Sequence, residues 1–362
     1  MSGSLVSSIE ARRGLLVVRL ARELGVITTL PHQPSRSNAL VFKQVDDGWR
    51  GGLKSFYRRV RRGLGLDRAV VFMTSADVGE YIYEVVDDPE THIIATVGLN
   101  PPACPASPRR LHEPIHSTIN IAVLTSHPLK RSGMLDLLRV VAESKAAAAA
   151  DALLPCGGRA TGTATDAIAV GAPLAARGAV TAGLYTTVGG VVGDSVYRML
   201  VEGATGRMGA DERLRALLGL TPDEVIRAFV KVYTTAPIPG VRLEYVEDAA
   251  RRELEGMLRD PNVAAMLVAA RELDIHGAAG SIPGLSRREY LEDSPGIVAD
   301  ELLGSALALY LAGFKGLLAT IWVERLKEKG ILGGELPVFA DDMLSAILGS
   351  LVTRIYGRMA KR

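Results

Sequence analysis

Short β-branched runs crowd the first 172 residues of this chain and then stop. GLLVVRL (14–20), NALVFKQV (38–45), RAVVFMT (68–74), HIIATVG (92–98), TINIAVLTS (118–126) and DAIAVGA (166–172) each read as a strand bounded by Gly, Pro or Asn. Helical patterns lie between them, clearest in 132–154, where Ser132 offers an N-cap and Pro155 stands just past the end. This alternation predicts an N-terminal α/β (α+β) sandwich.

From Asp211 onward the pattern is helical. LTPDEVIRAFVKVY carries Thr221 as cap, Pro222 in the first turn and Glu224 three residues after the cap, a capping box. NVAAMLVAARELDIHG ends in Gly277 as C-cap, and apolar helices follow at 297–327 and 340–359. An all-α domain is expected here. At 362 residues the chain exceeds one ordinary domain, and glycine is dense in GATGRMGAD (203–211). The expected domains are therefore 1–208 and 209–362.

Charge narrows the partners. Forty-two basic residues face 40 acidic ones, and only 5% of residues are aromatic. That gives neither the electrostatic footprint nor the stacking platform of a nucleic-acid binder. Cys104 and Cys156 form no CxxC pair, which argues against a structural zinc site; a lone cysteine is usually a small packed hydrophobe. The apolar run near the N-terminus is short and reaches Arg19, unlike a signal peptide, so a cytoplasmic location is expected. The stretch 302–323 approaches the length of a membrane span but contains Lys315, and a buried helix is the better reading. Homo-oligomerisation stays open.

Chemistry concentrates in RATGTATDAIAVGAP (159–173). Thr161, Thr163 and Thr165 alternate, so an extended segment would put their hydroxyls on one face, with Asp166 behind them. Gly162 would let a substrate approach the backbone closely. The bland alternative is a Thr-rich turn in which Asp166 makes local caps. Glu143 and Lys145 lie two apart on a helix and cannot share a face, so one can point at a site while the other meets solvent. In LHEPIH, His112 and His116 have metal-pair spacing, but Pro114 breaks the helix that would align them, which leaves His116 as an acid–base candidate.

Two acidic pairs open the last helices, Asp300–Glu301 and Asp341–Asp342. Brought together they would supply hard oxygen ligands for Mg²⁺ and a phosphate ester; separately they would only complement helix dipoles.

NALVFKQV, TINIAVLTSHPL, ESKAAAAADALL and ATGTATDAIAV, in that order across about 14–205, resemble the adenosylcobinamide amidohydrolase family. The resemblance implies hydrolysis of the amide that joins a corrinoid side chain to aminopropanol. The chemistry of that reaction then nominates Asp166 and Glu143 to activate water, Thr161, Thr163, Thr165 and Asn120 for hydrogen bonding, and His116 as acid or base. Asn38, Thr118, Lys145 and Gly162 are nominated to bind substrate.

LTPDEVI, NVAAMLVAARELDIHG, SIPGLSRREYLEDSPGIVADELLG and GILGGELPVFADD, across about 217–356, resemble the phosphatidylglycerophosphatase A superfamily. The likeness is closest to its archaeal α-ribazole-phosphate phosphatases, and it implies a Mg²⁺ site at Asp300, Glu301, Asp341 and Asp342. EKGILGGELP stands where the lipid phosphatases carry a Lys-Pro-Trp-Pro-type stretch, which weighs against a lipid substrate. The combination resembles bifunctional archaeal corrinoid-salvage enzymes, with a corrinoid and α-ribazole phosphate as substrates. The rival readings are a membrane-associated phosphatidylglycerophosphatase and a non-enzymatic corrinoid carrier.

Overall fold

The computed structural model describes residues 4–46, 48–106, 118–332 and 336–359. It divides into two compact units, Met1–Arg207 and Met208–Arg362.

The first unit runs β1 (Val6–Arg12), β2 (Leu15–Thr28), β3 (Arg36–Gln44), α1 (Leu53–Leu64), β4 (Ala69–Thr74), β5 (Ile82–Asp87) and β6 (Glu90–Val97). It continues with β7 (Pro102–Ala103), β8 (Ile119–Thr125), α2 (Arg131–Asp151), β9 (Gly162–Thr163), β10 (Ala167–Ala172) and α3 (Thr187–Thr205). The main sheet has the order β4-β3-β2-β10-β8-β6-β5, with β1 also on β2. Only β3/β4 and β8/β10 are parallel in it. The long β2 shifts register against β3 between Arg19 and Leu24 and so serves β1 with its first half and β10 with its second.

Alternation along β8 explains the layers. Ile119, Ile121 and Val123 face α2 and α3, while Ala122 and Leu124 face a second core with Phe42, Phe72 and Ile94. Each fully buried side chain of this size contributes about 1.5–3 kcal/mol. The fold is thus a mixed α/β sheet unit, as the strand pattern predicts. Four strands escape that pattern: β1 and β5 in the main sheet, and the two-residue β7 and β9. Helix α2 starts two residues earlier than expected, with Lys130 rather than Ser132 at the N-cap, and Ser132 lies inside its first turn.

The two cysteines are not separate packed thiols. Antiparallel pairing of β7 with β9 draws their flanks together, and Cys104 and Cys156 form a disulfide with Cα atoms 6.0 Å apart.

The second unit is helical throughout its described residues: α4 (Ala210–Leu218), α5 (Pro222–Thr234), α6 (Leu243–Leu258), α7 (Pro261–Ala279), α8 (Arg287–Leu291), α9 (Ala299–Glu328) and α10 (Val338–Met359). Helix α10 is its axis, packed on α4, α5, α6, α7 and α9 through Phe339, Met343, Ile347, Leu351 and Ile355. The capping box opens α5: Glu224 N donates to Thr221 Oγ1 and Thr221 N to Glu224 Oε2. Gly277 is not a C-cap. Helix α7 runs on to Gly280, which takes the left-handed conformation (φ 67°), while Gly277 packs where a Cβ would overlap the Tyr290 ring.

Helix α9 is long and apolar enough by composition to cross a membrane. It does not run straight. Gly313 (φ 64°, ψ −159°) turns it into two limbs, 299–312 and 314–328. Both lie on α10: Arg354 Nε donates to Leu311 O and Thr353 Oγ1 to Lys315 O, while Lys327 Nζ donates to Ser345 Oγ near the other end. Neither limb reaches the roughly 20 residues of a membrane span.

Candidate active sites

In the first unit, the turn between β9 and β10 folds around one carboxylate. Asp166 Oδ1 accepts from Ile119 N (2.9 Å) and Thr163 Oγ1; Oδ2 accepts from Thr163 N (3.0 Å) and Lys145 Nζ. Lys145 Nζ also donates to Thr161 O (3.0 Å). The ion pair is about nine-tenths buried, and removing one member of such a pair typically costs 3–5 kcal/mol, on the order given by buried-pair deletions. Gly162 has φ 146°, and a Cβ there would overlap Asp166 Oδ2 and Lys145 Nζ. The glycine is therefore a condition of the ion pair. Backbone pairing of Thr161 N with Ala103 O (2.9 Å), with the disulfide nearby, fixes the wall behind it.

Asn120 is fully buried on β8 and donates through Nδ2 to Met73 O (3.1 Å). Its Oδ1, Thr118 Oγ1 and Thr96 Oγ1 are buried with no hydrogen-bond partner among the described residues. Thr96 and Asn120 are cross-strand partners, and Thr118 shares Asn120's face of the strand. Buried polar atoms are rarely left unpaired. Thr118 and Asn120 flank the Ile119 N–H that holds Asp166, Thr96 lies across from Asn120, and together they make a place with unmet hydrogen-bonding capacity.

Other nominated residues lie elsewhere. Glu143 points away on α2, where Arg139 Nη1 donates to its Oε1 (2.7 Å) and nearly half the side chain is exposed. Asn38 is exposed on β3. The three threonines do not share a face. The extended segment covers only Gly162–Thr163, and a turn at Ala164–Thr165 leaves Thr165 exposed while Thr163 is buried. His112 and His116 lie outside the described residues. Thr96 was not singled out in the sequence, since a threonine inside HIIATVG looks like an ordinary strand residue.

In the second unit the acidic pairs converge. Gly304 sits against Asp342, where a Cβ would stand 3.2 Å from the Asp342 Cβ, and this close approach brings the starts of α9 and α10 together. Asp300, Glu301 and Asp342 each offer an oxygen within 4.8 Å of the others, and Asp342 is shared with a second group, Glu324 and Asp341. The two groups differ in charge balance. Lys327 Nζ donates to Glu324 Oε1 (2.9 Å) and pairs closely with Asp341.

Asp300 is 4% exposed. Its Oδ1 and Asp342 Oδ2 are buried without partners. Burial, then Glu301 and Asp342, push Asp300 up to about 7; burial, then Glu324, push Asp342 up to about 7. A set of oxygen donors with two buried unpaired carboxylate atoms fits a hard divalent cation such as Mg²⁺.

Asp274 on α7 holds this arrangement from behind. It accepts from Phe339 N (2.9 Å), Ala340 N (3.0 Å) and Tyr290 OH (2.7 Å), satisfying the open N–H groups at the start of α10. Asp274, Glu324 and Lys327 were not found from the sequence. Asp274 stands among Arg271, Glu272 and His276, and in sequence it looks like part of an ordinary solvated helix face.

Comparison with known proteins gives one family. An uncharacterized protein of Methanocaldococcus jannaschii is 30% identical over 115 residues, 31% of this chain and 86% of that protein. Among solved structures, the low temperature requirement C protein from Listeria monocytogenes aligns with 42% of this chain and 94% of its own, at 19% identity and a TM-score of 0.35. Protein ypjQ from Bacillus subtilis aligns with 42% of this chain and 99% of its own, at 15% identity and a TM-score of 0.34. Structural likenesses this loose decide nothing. The adenosylcobinamide amidohydrolase family model matches residues 3–212, more than half of the chain and all of the Asp166 centre. The chain belongs to the adenosylcobinamide amidohydrolase family, a family of hydrolases.

Proposed function

We propose that the chain is a two-part hydrolase of corrinoid salvage. Residues 1–208 cleave the aminopropanol amide of adenosylcobinamide to give adenosylcobyric acid. Residues 209–362 dephosphorylate α-ribazole 5′-phosphate to α-ribazole. The observation that carries the first part is the Lys145–Asp166–Thr163 centre inside the family's matched residues.

Amide hydrolysis needs an attacking oxygen, an acceptor for its proton and a stabiliser for the developing oxyanion. Thr163 directs its hydroxyl proton at Asp166 Oδ1. Asp166 is the proton acceptor, for Thr163 itself or for a water in the same line, and Lys145 holds that carboxylate in place. Thr96, Thr118 and Asn120 hydrogen-bond the amide groups of the substrate, which meets their unpaired capacity.

For the second part, Asp300, Glu301 and Asp342 would hold Mg²⁺, with Asp341 beside them. Bound there, the ion would polarise a phosphoryl group and acidify water. The chain's own part is to fix the carboxylates: Asp274 anchors the start of α10 and Lys327 orients Asp341. We place the enzyme in the cytoplasm. With Cys104 bonded to Cys156, this implies a cell whose intracellular proteins keep disulfides, as those of hyperthermophilic archaea do.

The division of labour has a direct test. Residues 1–208 expressed alone contain every strand and the whole Asp166 centre. The fragment should fold and release aminopropanol from adenosylcobinamide at the rate of the full chain, with no activity on α-ribazole phosphate. A soluble fragment that leaves adenosylcobinamide intact, alongside an active full chain, would refute the assignment.

A further inference from the structure

The outer face of the α9 hairpin is apolar and uncovered. Val298, Leu302, Leu309 and Phe314 stand out to solvent, and Leu318 and Ile321 extend the patch along the second limb. Leu302 and Phe314 are each 67% exposed. Exposed positions 302, 306 and 309 on one limb and 314, 318 and 321 on the other follow steps of four and three. That is the seam spacing by which helices pair side by side.

We infer that a second copy of this chain covers this face, with the two hairpins packed antiparallel about a two-fold axis as a four-helix bundle. Two observations favour a copy over other occupants. The patch exposes on the order of 700 Å² of apolar side chain, close to the roughly 800 Å² that each partner buries in a standard stable interface. The hairpin is also polar end to end. Its turn end carries Lys315 beside Arg354 and Arg358, against the single carboxylate of Glu253. Its open end carries Asp300, Glu301, Glu324, Glu328, Asp341 and Asp342, against Arg325, Lys327 and Lys329, and so stays net acidic.

An antiparallel pair sets each basic turn against the other copy's acidic end, so the face is complementary to itself. Anionic lipid headgroups would instead meet that acidic end, which disfavours a membrane surface as the occupant. The acidic end shares Asp300, Glu301 and Asp342 with the proposed metal site, but the test reads assembly and not phosphatase activity, so the two readings fail separately.

Sedimentation of the full chain through the micromolar range tests it. The wild type should sediment at twice its 38.5 kDa chain mass. Leu318→Glu and Phe314→Glu should each yield monomers with unchanged helical circular dichroism and unchanged adenosylcobinamide hydrolysis. If either carboxylate variant loses its helical signal, Phe314→Ser at the solvent-facing turn carries the same test. Lys315→Glu, which removes charge matching without touching the apolar seam, should weaken the dimer about tenfold, or ~1.4 kcal/mol. Flotation with phosphatidylglycerol vesicles should leave the protein in the pellet fraction. A wild type that stays at 38.5 kDa, a dimer indifferent to both carboxylate variants, or a monomer that floats with the vesicles would each overturn the proposal.

Discussion

Asp166→Asn should cut hydrolysis of the adenosylcobinamide amide by roughly 10²–10⁴-fold, the range for losing a positioned proton acceptor. Geometry makes the exchange severe although it adds no bulk. Both carboxylate oxygens accept, from two backbone N–H groups, the Thr163 hydroxyl and Lys145. An amide in that place must turn an NH₂ toward donors and leave the Lys145 ammonium without its counter-charge. Phosphatase activity should be unchanged. Thr163 separates the two sources of the attacking oxygen. If Thr163 attacks, Thr163→Ser keeps most of the activity and Thr163→Val loses as much as Asp166→Asn. If water attacks, Thr163→Val retains substantial turnover. Near-normal amide hydrolysis in Asp166→Asn would reduce this carboxylate to a turn-holding group.

Removing the divalent cation should abolish phosphatase activity and expose a pH-dependent instability in the same unit. In the metal-free protein, Asp300 and Asp342 are raised from 3.8 to about 7. A folded carboxyl with a raised value binds protons that the unfolded chain has already released. Stability therefore falls as pH rises from about 4 to about 7, and the full loss persists above that window. Thermal melts in EDTA should show the second unit weakening across this window, and Mg²⁺ should restore most at the alkaline end.

Asp342→Asn gives the sharper contrast. In EDTA above neutral pH it should melt higher than wild type, because an unpaired buried charge is gone. Asp342→Ala and Glu301→Ala should each lower α-ribazole-phosphate hydrolysis by about 10³-fold or more, the equivalent of several kcal/mol of charge stabilisation. The amidohydrolase should stay intact. Full phosphatase activity after exhaustive EDTA treatment would contradict the metal assignment and return these carboxylates to helix-start electrostatics.

The fold was legible where burial is two-sided. Strands β4, β8 and β10 have both faces covered, so they read as unbroken apolar runs. Strand β5 alternates Tyr83, Val85 and Asp87 on an outer edge with half-buried Ile82, Glu84 and Val86, and β1 is largely polar. Neither offers a continuous apolar signal. The capping box of α5 could be read because its bonds span three residues. The turn at Gly313 could not, because a glycine in an apolar run looks the same whether the helix continues or folds back. Packing of both limbs on α10 decides it.

The same distinction runs through the sites. The two-residue spacing of Glu143 and Lys145 implied that they would separate, but only the docking of α2 on the sheet sets Lys145 inward and leaves Glu143 to Arg139. The clustering of polar residues at 159–166 marked the centre, while the early end of β9 scattered its threonines. Asp274 reaches the start of α10 from 65 residues away in sequence, a contact no local pattern records. Cys104 and Cys156, separated by 52 residues, met for a similar reason, through the pairing of two very short strands.

Incubating the purified chain with adenosylcobinamide, with and without EDTA, and weighing the products by mass spectrometry tests the central claim most directly. Adenosylcobyric acid and aminopropanol should form in both samples, because the mechanism proposed for the Asp166 centre draws on its own side chains alone, while added α-ribazole phosphate should lose its phosphate only where EDTA is absent. Adenosylcobinamide recovered unchanged from both samples would contradict the account.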